Sequence, residues 1–189
     1  MNMGIIAEDD SDVGVMREIT SKLLRPFNVG FKRFVGNGCG KLRRKCAAWA
    51  TVLTQQGCSW IVVIHDLDFN DEDQLRTELT NALNAATHRP SIVLIPRREI
   101  EAWLLYDGAA IAKAFGANKS PKLPGNPEAL PDPKKQLRTL VKKSFGKTYI
   151  HTIHNQIIAR FIKVSLLQKS KSFSPHIAFS ANVRAALGG

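Results

Sequence analysis

Acidic residues run out part-way along this chain of 189 residues. Only two of its 16 Asp and Glu residues, Glu128 and Asp132, lie beyond Asp107, whereas 14 of its 27 Lys and Arg residues do. The net charge of +11 is therefore a balance of −1 up to Asp107 and +12 after it. Such one-sided excess points to a surface that meets a polyanion, nucleic acid above all. Cysteine is scarce as well. Cys39, Cys46 and Cys58 are odd in number and form no C-x-x-C pair, which argues against a disulfide framework or a zinc site and fits reduced thiols in a cytoplasmic protein. No apolar run has membrane-spanning length. The stretch Cys46–His65 lacks charge, but Gln55, Gln56 and Gly57 divide it into a helix-like "CAAWATVL" and a strand-like "WIVVIH". No basic stretch leads into an apolar run at the N-terminus, so no signal peptide is expected. Internal repeats and low-complexity tracts are also missing.

What is present is alternation. "MGIIA", "NVGFKRFV", "WIVVIH" and "SIVLIP" read as four strands. Between and after them, helical patterns run from Asp12 to Leu24, Lys41 to Gln55 and Asp71 to Ala86, with "REIEAWLLYD" as a helix following the fourth strand. The order βαβαβαβα predicts an α/β fold: a mostly parallel four-stranded sheet flanked by helices. Residues 1–110 form this core and residues 111–189 a basic helical C-terminal extension packed on it as one structural domain. Phe115–Pro133, rich in Pro, Gly, Asn and Lys, reads as a long loop without a packed core. Pro133–Phe145, Tyr149–Leu167 and Pro175–Leu187 read as helices.

"IIAEDDSD", Ile5 to Asp12, sets four carboxylates directly after an apolar strand, and "VVIHDLD" sets Asp66 and Asp68 after another. Parallel neighbours bring these carboxyl ends together, where ligands of α/β sheets collect. Glu8, Asp66 and Asp68 then repel one another unless a cation intervenes. An oxygen-only donor set suits Mg²⁺ or Mn²⁺. If the D-x-D segment stays extended, its two carboxylates face the same way. Asp9, Asp10 and Asp12 also have a plainer use, as helix-start acids.

These segments resemble the Toprim domain. Glu8 and Asp12 fall where its E-G-x-x-D motif has its acids, and Asp66 and Asp68 fall on its D-x-D strand. Asp9 stands where that motif has Gly. "IPRREIEAWLLYD", "NPEALPDPKKQL", "KTYIHTIHNQIIARF" and "SKSFSPHIAF" are similar to later segments of small stand-alone Toprim-like proteins. The resemblance implies a metal-dependent nuclease related to the overcoming-lysogenization-defect group, with Glu101 completing the metal shell. It also implies a place in antiviral defence beside a partner ATPase. Topoisomerase and primase readings lack the further domains they need.

On this reading Glu8, Asp12, Asp66 and Asp68 carry phosphodiester hydrolysis of DNA or RNA. Glu8, Asp66, Asp68 and Glu101 hold the ion. Lys41, Arg43 and Arg44, after the turn "GNGCG", and Lys134, Lys135, Lys142 and Lys143 bind the nucleic-acid backbone. "GNGCGK" is no P-loop: three residues instead of four separate Gly36 from Gly40, and Leu42 stands where Ser or Thr should follow the lysine. Glu99 and Glu101, two apart on a helix, face different ways. A homodimer is one expected assembly. The rival expectation is a non-catalytic module that binds nucleic acid or a partner.

Overall fold

The computed structural model describes residues 1–189. Four strands, β1 (Asn2–Ala7), β2 (Gly30–Val35), β3 (Cys58–Ile64) and β4 (Ser91–Leu94), form one sheet in the order β2-β1-β3-β4, parallel throughout. Period-two alternation sorts the side chains to two faces. Met3, Ile5 and Ala7 of β1 join Trp60, Val62 and Ile64 of β3 on one side, while Ile6, Ile61 and Val63 point to the other. Helices α2 (Cys39–Gln55) and α3 (Glu72–Ala86) cover the second face. Gly4 lets α2 close on the sheet, since a Cβ there would stand 2.8 Å from Leu53 Cδ1.

The first face is covered by α1 (Asp10–Leu23) together with the C-terminal helices. One apolar cluster runs without a break from Met3 and Ile19 through Trp103, Leu137, Ile158 and Phe173 to Val183. The basic extension therefore completes the main core. No helix is long and apolar enough to cross a membrane.

One predicted helix is shortened and another is split, and Asp107 stands at both places. "REIEAWLLYD" yields only α4 (Glu101–Leu104), followed by α5 (Gly108–Ala114), because Asp107 caps a new helix through its bond from the Ala110 amide, 2.9 Å. The other Asp107 oxygen takes the Lys163 amide, 2.9 Å, at the point where the predicted Tyr149–Leu167 helix divides into α7 (His151–Phe161) and α8 (Val164–Leu167). Helices α6 (Pro133–Phe145) and α9 (Ser174–Gly188) follow their patterns.

The Phe115–Pro133 segment is not the free loop that its composition predicts. Phe115 and Pro127 are buried, and Pro127–Ala129 forms a 3-10 turn. Glu128 fastens it to the turn before α9. Its carboxylate accepts from the amides of Lys171 and Ser172, each 3.0 Å away, and from the hydroxyls of Ser170 and Ser172. These bonds outweigh the effect of burial and hold its pKa below the usual carboxylate value. Glu128→Ala leaves these donors unpaired and should lower unfolding stability by about 2–3 kcal/mol, read as a fall in urea midpoint at unchanged m-value.

His176 sets a second stability limit. It is fully buried, with Nε2 2.9 Å from Thr20 Oγ1 and Nδ1 unpartnered, and burial pushes its pKa down to about 3. The folded chain therefore refuses a proton that the unfolded chain accepts below about pH 6.5. Its contribution is complete above that value and is lost as pH falls toward 3. Chemical unfolding measured across this window should show His176→Leu with a flatter loss of stability than the unsubstituted chain.

Candidate active site

The carboxyl ends of β1 and β3 lie side by side, and one hydrogen bond joins them: the Asp66 amide donates to Glu8 Oε1, 3.0 Å. The same Glu8 oxygen is 3.0 Å from Nδ1 of buried His65. Nδ1 is also 2.6 Å from the Asp66 carbonyl, so two acceptors face it and it carries the proton. The opposite ring nitrogen, Nε2, is buried without a partner.

Around this joint gather Asp12, Asp68, Glu99 and Glu101. Asp12, at the start of α1, is buried and accepts the Asp9 amide at 3.2 Å. Asp9 in return accepts the amides of Ser11 and Asp12, which completes a capping box. Its φ of −139° is ordinary extended backbone, so the position that is Gly in the resembled motif needs no glycine here. Asp10 points away, in an exposed pair with Arg33.

Glu101 lies at the head of α4 and is buried. Its Oε1 receives Tyr149 Oη at 3.0 Å and Asn155 Nδ2 at 3.1 Å. Tyr149 Oη also stands 2.5 Å from Asn155 Oδ1, which closes a three-residue network. Glu101 Oε2 and Asp66 Oδ1 are buried with no hydrogen-bond partner.

The charges respond as a crowded set should. Burial, then Asp12, Glu101, Glu8 and Asp68, push Asp66 well above the usual carboxylate range. Burial and then Asp9 do the same to Asp12. Glu8, Asp68 and Glu101 are raised as well, each chiefly by burial. Burial pushes the Tyr149 hydroxyl far up, and Glu101 adds to it.

One cation stands among them. Lys134 Nζ is 3.4 Å from Glu99 Oε1 and 3.8 Å from Glu101 Oε1. Its own amide, in the first turn of α6, donates to Glu99 Oε2 at 2.9 Å. Burial pulls its ammonium down, but Glu101, Glu99 and Asp66 outweigh it and raise the pKa.

Most of the predicted acids thus meet, but two expectations need correction. The D-x-D segment does not stay extended: Asp68 has φ +47°. Asp66 turns into the cluster with Asp12 and Glu101, while Asp68 is influenced by His65, Glu99 and Lys134. Glu99 and Glu101 do not diverge on a helix either. Glu99 lies in a bend before α4, next to Arg98 at φ +65°, and both acids reach Lys134.

The predicted phosphate-binding residues divide. Lys41, Arg44, Lys135, Lys142 and Lys143 are exposed. Arg43 is tied to Glu78. Lys134 has left the outer face for the acid cluster. Residue type alone does not announce Tyr149, Asn155 or His65, and packing alone brings them in.

The oxygen set fits a hard divalent cation, because two buried carboxylate oxygens, Asp66 Oδ1 and Glu101 Oε2, lack any partner. No three His, Cys, Asp or Glu side chains already stand close enough to enclose an ion, so binding would draw the acids together.

The fold and site define an α/β protein with an acid-rich centre at the carboxyl ends of its strands. Residues 7–177 match the family described as Domain of unknown function (DUF4276), and the chain belongs to that family. No curated protein and no solved structure matches it.

Raised carboxyls take up protons in the folded state that the unfolded chain does not. The folded state is thus weakened at pH above their folded values and gains stability as pH falls through them. A cation held there at neutral pH would do the same work as the proton. Melting temperature at neutral pH should therefore rise on adding Mn²⁺ or Mg²⁺. Asp66→Asn should raise it without any ion, by about 2–4 °C for each kcal/mol of repulsion relieved, and blunt the response to the ion. A wild-type melting curve indifferent to both ions would contradict a cation role.

Proposed function

We propose that the chain is a hydrolase of phosphodiester bonds in DNA or RNA that works with Mg²⁺ or Mn²⁺. The observation that carries this reading is the pair of partnerless buried oxygens, Asp66 Oδ1 and Glu101 Oε2, inside a cluster of acids at the carboxyl ends of parallel strands. Asp66, Glu101, Glu8 and Asp68 are the residues that would hold the ion. When bound, it supplies Lewis-acid polarisation of a phosphoryl oxygen and lowers the pKa of water.

The chain's own groups have distinct tasks. Glu8, raised by burial and hydrogen-bonded to His65 Nδ1 and the Asp66 amide, is the group to exchange a proton with the attacking water or the leaving oxygen. Asp12 fixes the start of α1 beside it through the capping box. Tyr149 and Asn155 orient Glu101 by hydrogen bonds, and Lys134 adds a fixed positive charge facing a polyanionic substrate. The exposed Lys135, Lys142 and Lys143 on α6 continue that charge outward and hold backbone without reading sequence.

A second reading has one observation in its favour. Because no three ligands are already assembled, a module that binds nucleic acid with its acids protonated also fits. Activity separates the two. The pure protein, incubated with mixed DNA and RNA substrates, should cleave in Mg²⁺ or Mn²⁺ and not in EDTA. Asp68→Asn should lower cleavage at least about 100-fold, as loss of a transition-state charge partner does, while binding stays intact or tightens. Equal loss of binding and cleavage would favour the non-catalytic module.

A further inference from the structure

Phe69 is 93% exposed, more than any other large apolar side chain of the fold. It is also held firmly. Asp68 before it has φ +47°, and Arg98 across from it has φ +65°, a backbone conformation disfavoured for any residue with a side chain. The two are locked together: the Asp68 amide donates to the Arg98 carbonyl at 3.0 Å, and Arg98 Nη1 donates to the Asp68 carbonyl at 2.6 Å. Next in the chain after Phe69, Asn70 turns back to the Leu67 carbonyl through both its amide and its side chain. The Arg98 guanidinium lies over the phenyl ring, 5.2 Å from its centre. An unfavourable backbone thus presents an aromatic face to water, one residue from an acid of the active site.

The same two loops lead into a polar cleft of about 600 Å³. Glu72, three residues after Phe69, and Arg97, next to Arg98, line it together with Lys169 and Lys171. The acids there are already engaged. Glu72 pairs with Arg76 at 2.8 Å and Arg97 at 3.4 Å, and Glu128 is filled by the Ser170–Ser172 turn. Lys169 and Lys171 form no ion pair and are exposed, so the cleft keeps positive charge to spare.

We propose that Phe69, Arg98 and this cleft form a track for single-stranded nucleic acid beside the acid cluster. One unpaired base stacks on Phe69, and the phosphates that follow it are held by Arg97, Lys169 and Lys171. The inference rests on the hydrolytic reading for its substrate and narrows that substrate to unpaired strands. An exposed aromatic ring flanked by a basic groove is the arrangement that takes single strands without regard to sequence. A duplex cannot use it, because its bases are already stacked on each other. The guanidinium covers one face of the ring and leaves the other for a base.

The test is binding, kept separate from cleavage by using the Asp66→Asn chain. Fluorescence anisotropy is recorded with a labelled thymidine strand of about 12 nucleotides and with a duplex of the same length. Phe69→Ala should weaken the single strand about 10-fold and leave the duplex unchanged, and Phe69→Trp should restore the affinity. Replacing Arg97, Lys169 and Lys171 together with Ala should reduce the slope of log affinity against log salt by about 2. Phe69→Ala affinities that are unchanged, or that fall equally for strand and duplex, would overturn the track. Cleavage is measured apart, on the chain with Asp66 intact. Absence of cleavage with the Phe69 effect present would defeat the hydrolytic reading and leave the track standing.

Discussion

The hydrogen bond from the Asp66 amide to Glu8 Oε1 ties the end of β3 to the first residue beyond β1. It forces negative charge to accumulate where the sheet opens. Asp68 follows two residues after Asp66, Asp12 arrives at the head of α1 and Glu99 and Glu101 after β4, and burial prevents water from relieving their repulsion. A strand pair with any other register would scatter them. The parallel alignment, in which Ile6 meets Val63, places Glu8 and Asp66 within reach of each other. The tension in the site follows from sheet geometry before any helix is added.

Relief comes from the acid-poor part of the chain. Lys134, Tyr149 and Asn155 all lie beyond Asp107, and all three contact Glu101. The charge asymmetry of the sequence is thus more than a matter of the outer surface. Part of the basic excess is turned inward, and the helices that carry it also bury Leu137 and Ile158 in the main core. Folding of the C-terminal helices and completion of the site are therefore one event. A chain truncated near residue 110 would lose the counter-charge and one wall of its core together.

Much of this was legible beforehand. Apolar runs bounded by helical periods gave the four parallel strands, and strand ends followed by acids placed Glu8 and Asp66 as neighbours. The illegible parts share a cause. Glu99 looked like a helical residue facing away from Glu101, because nothing local marks the bend at Arg98 with its left-handed backbone. Lys134 looked like its neighbour Lys135, and only the packing of the α6 N-terminus on Glu99 separates them. The breaks at Leu105 and Ile162 depend on one buried carboxylate, Asp107, bonded to residues 3 and 56 positions away. The periodicity of a window cannot register a bond of that span. Composition likewise made Phe115–Pro133 look loose, although Glu128 fastens it through four donor groups on Ser170, Lys171 and Ser172.

The left-handed backbone at Asp68 and Arg98 has a consequence for how this sequence can drift. Arg98 would have an easier backbone as glycine, by about 1–2 kcal/mol, whereas Asp, with its short polar side chain, takes this conformation more readily. Arg98→Gly would also delete the guanidinium that covers Phe69 and bonds the Asp68 carbonyl. At Arg98 the backbone ease that glycine offers is thus set against a hydrogen bond and a cation–π contact that it removes, so heat resistance alone does not drive the exchange. Laboratory evolution toward thermostability, run without a functional screen, would gain little from glycine at Arg98 and would leave this corner of the molecule standing.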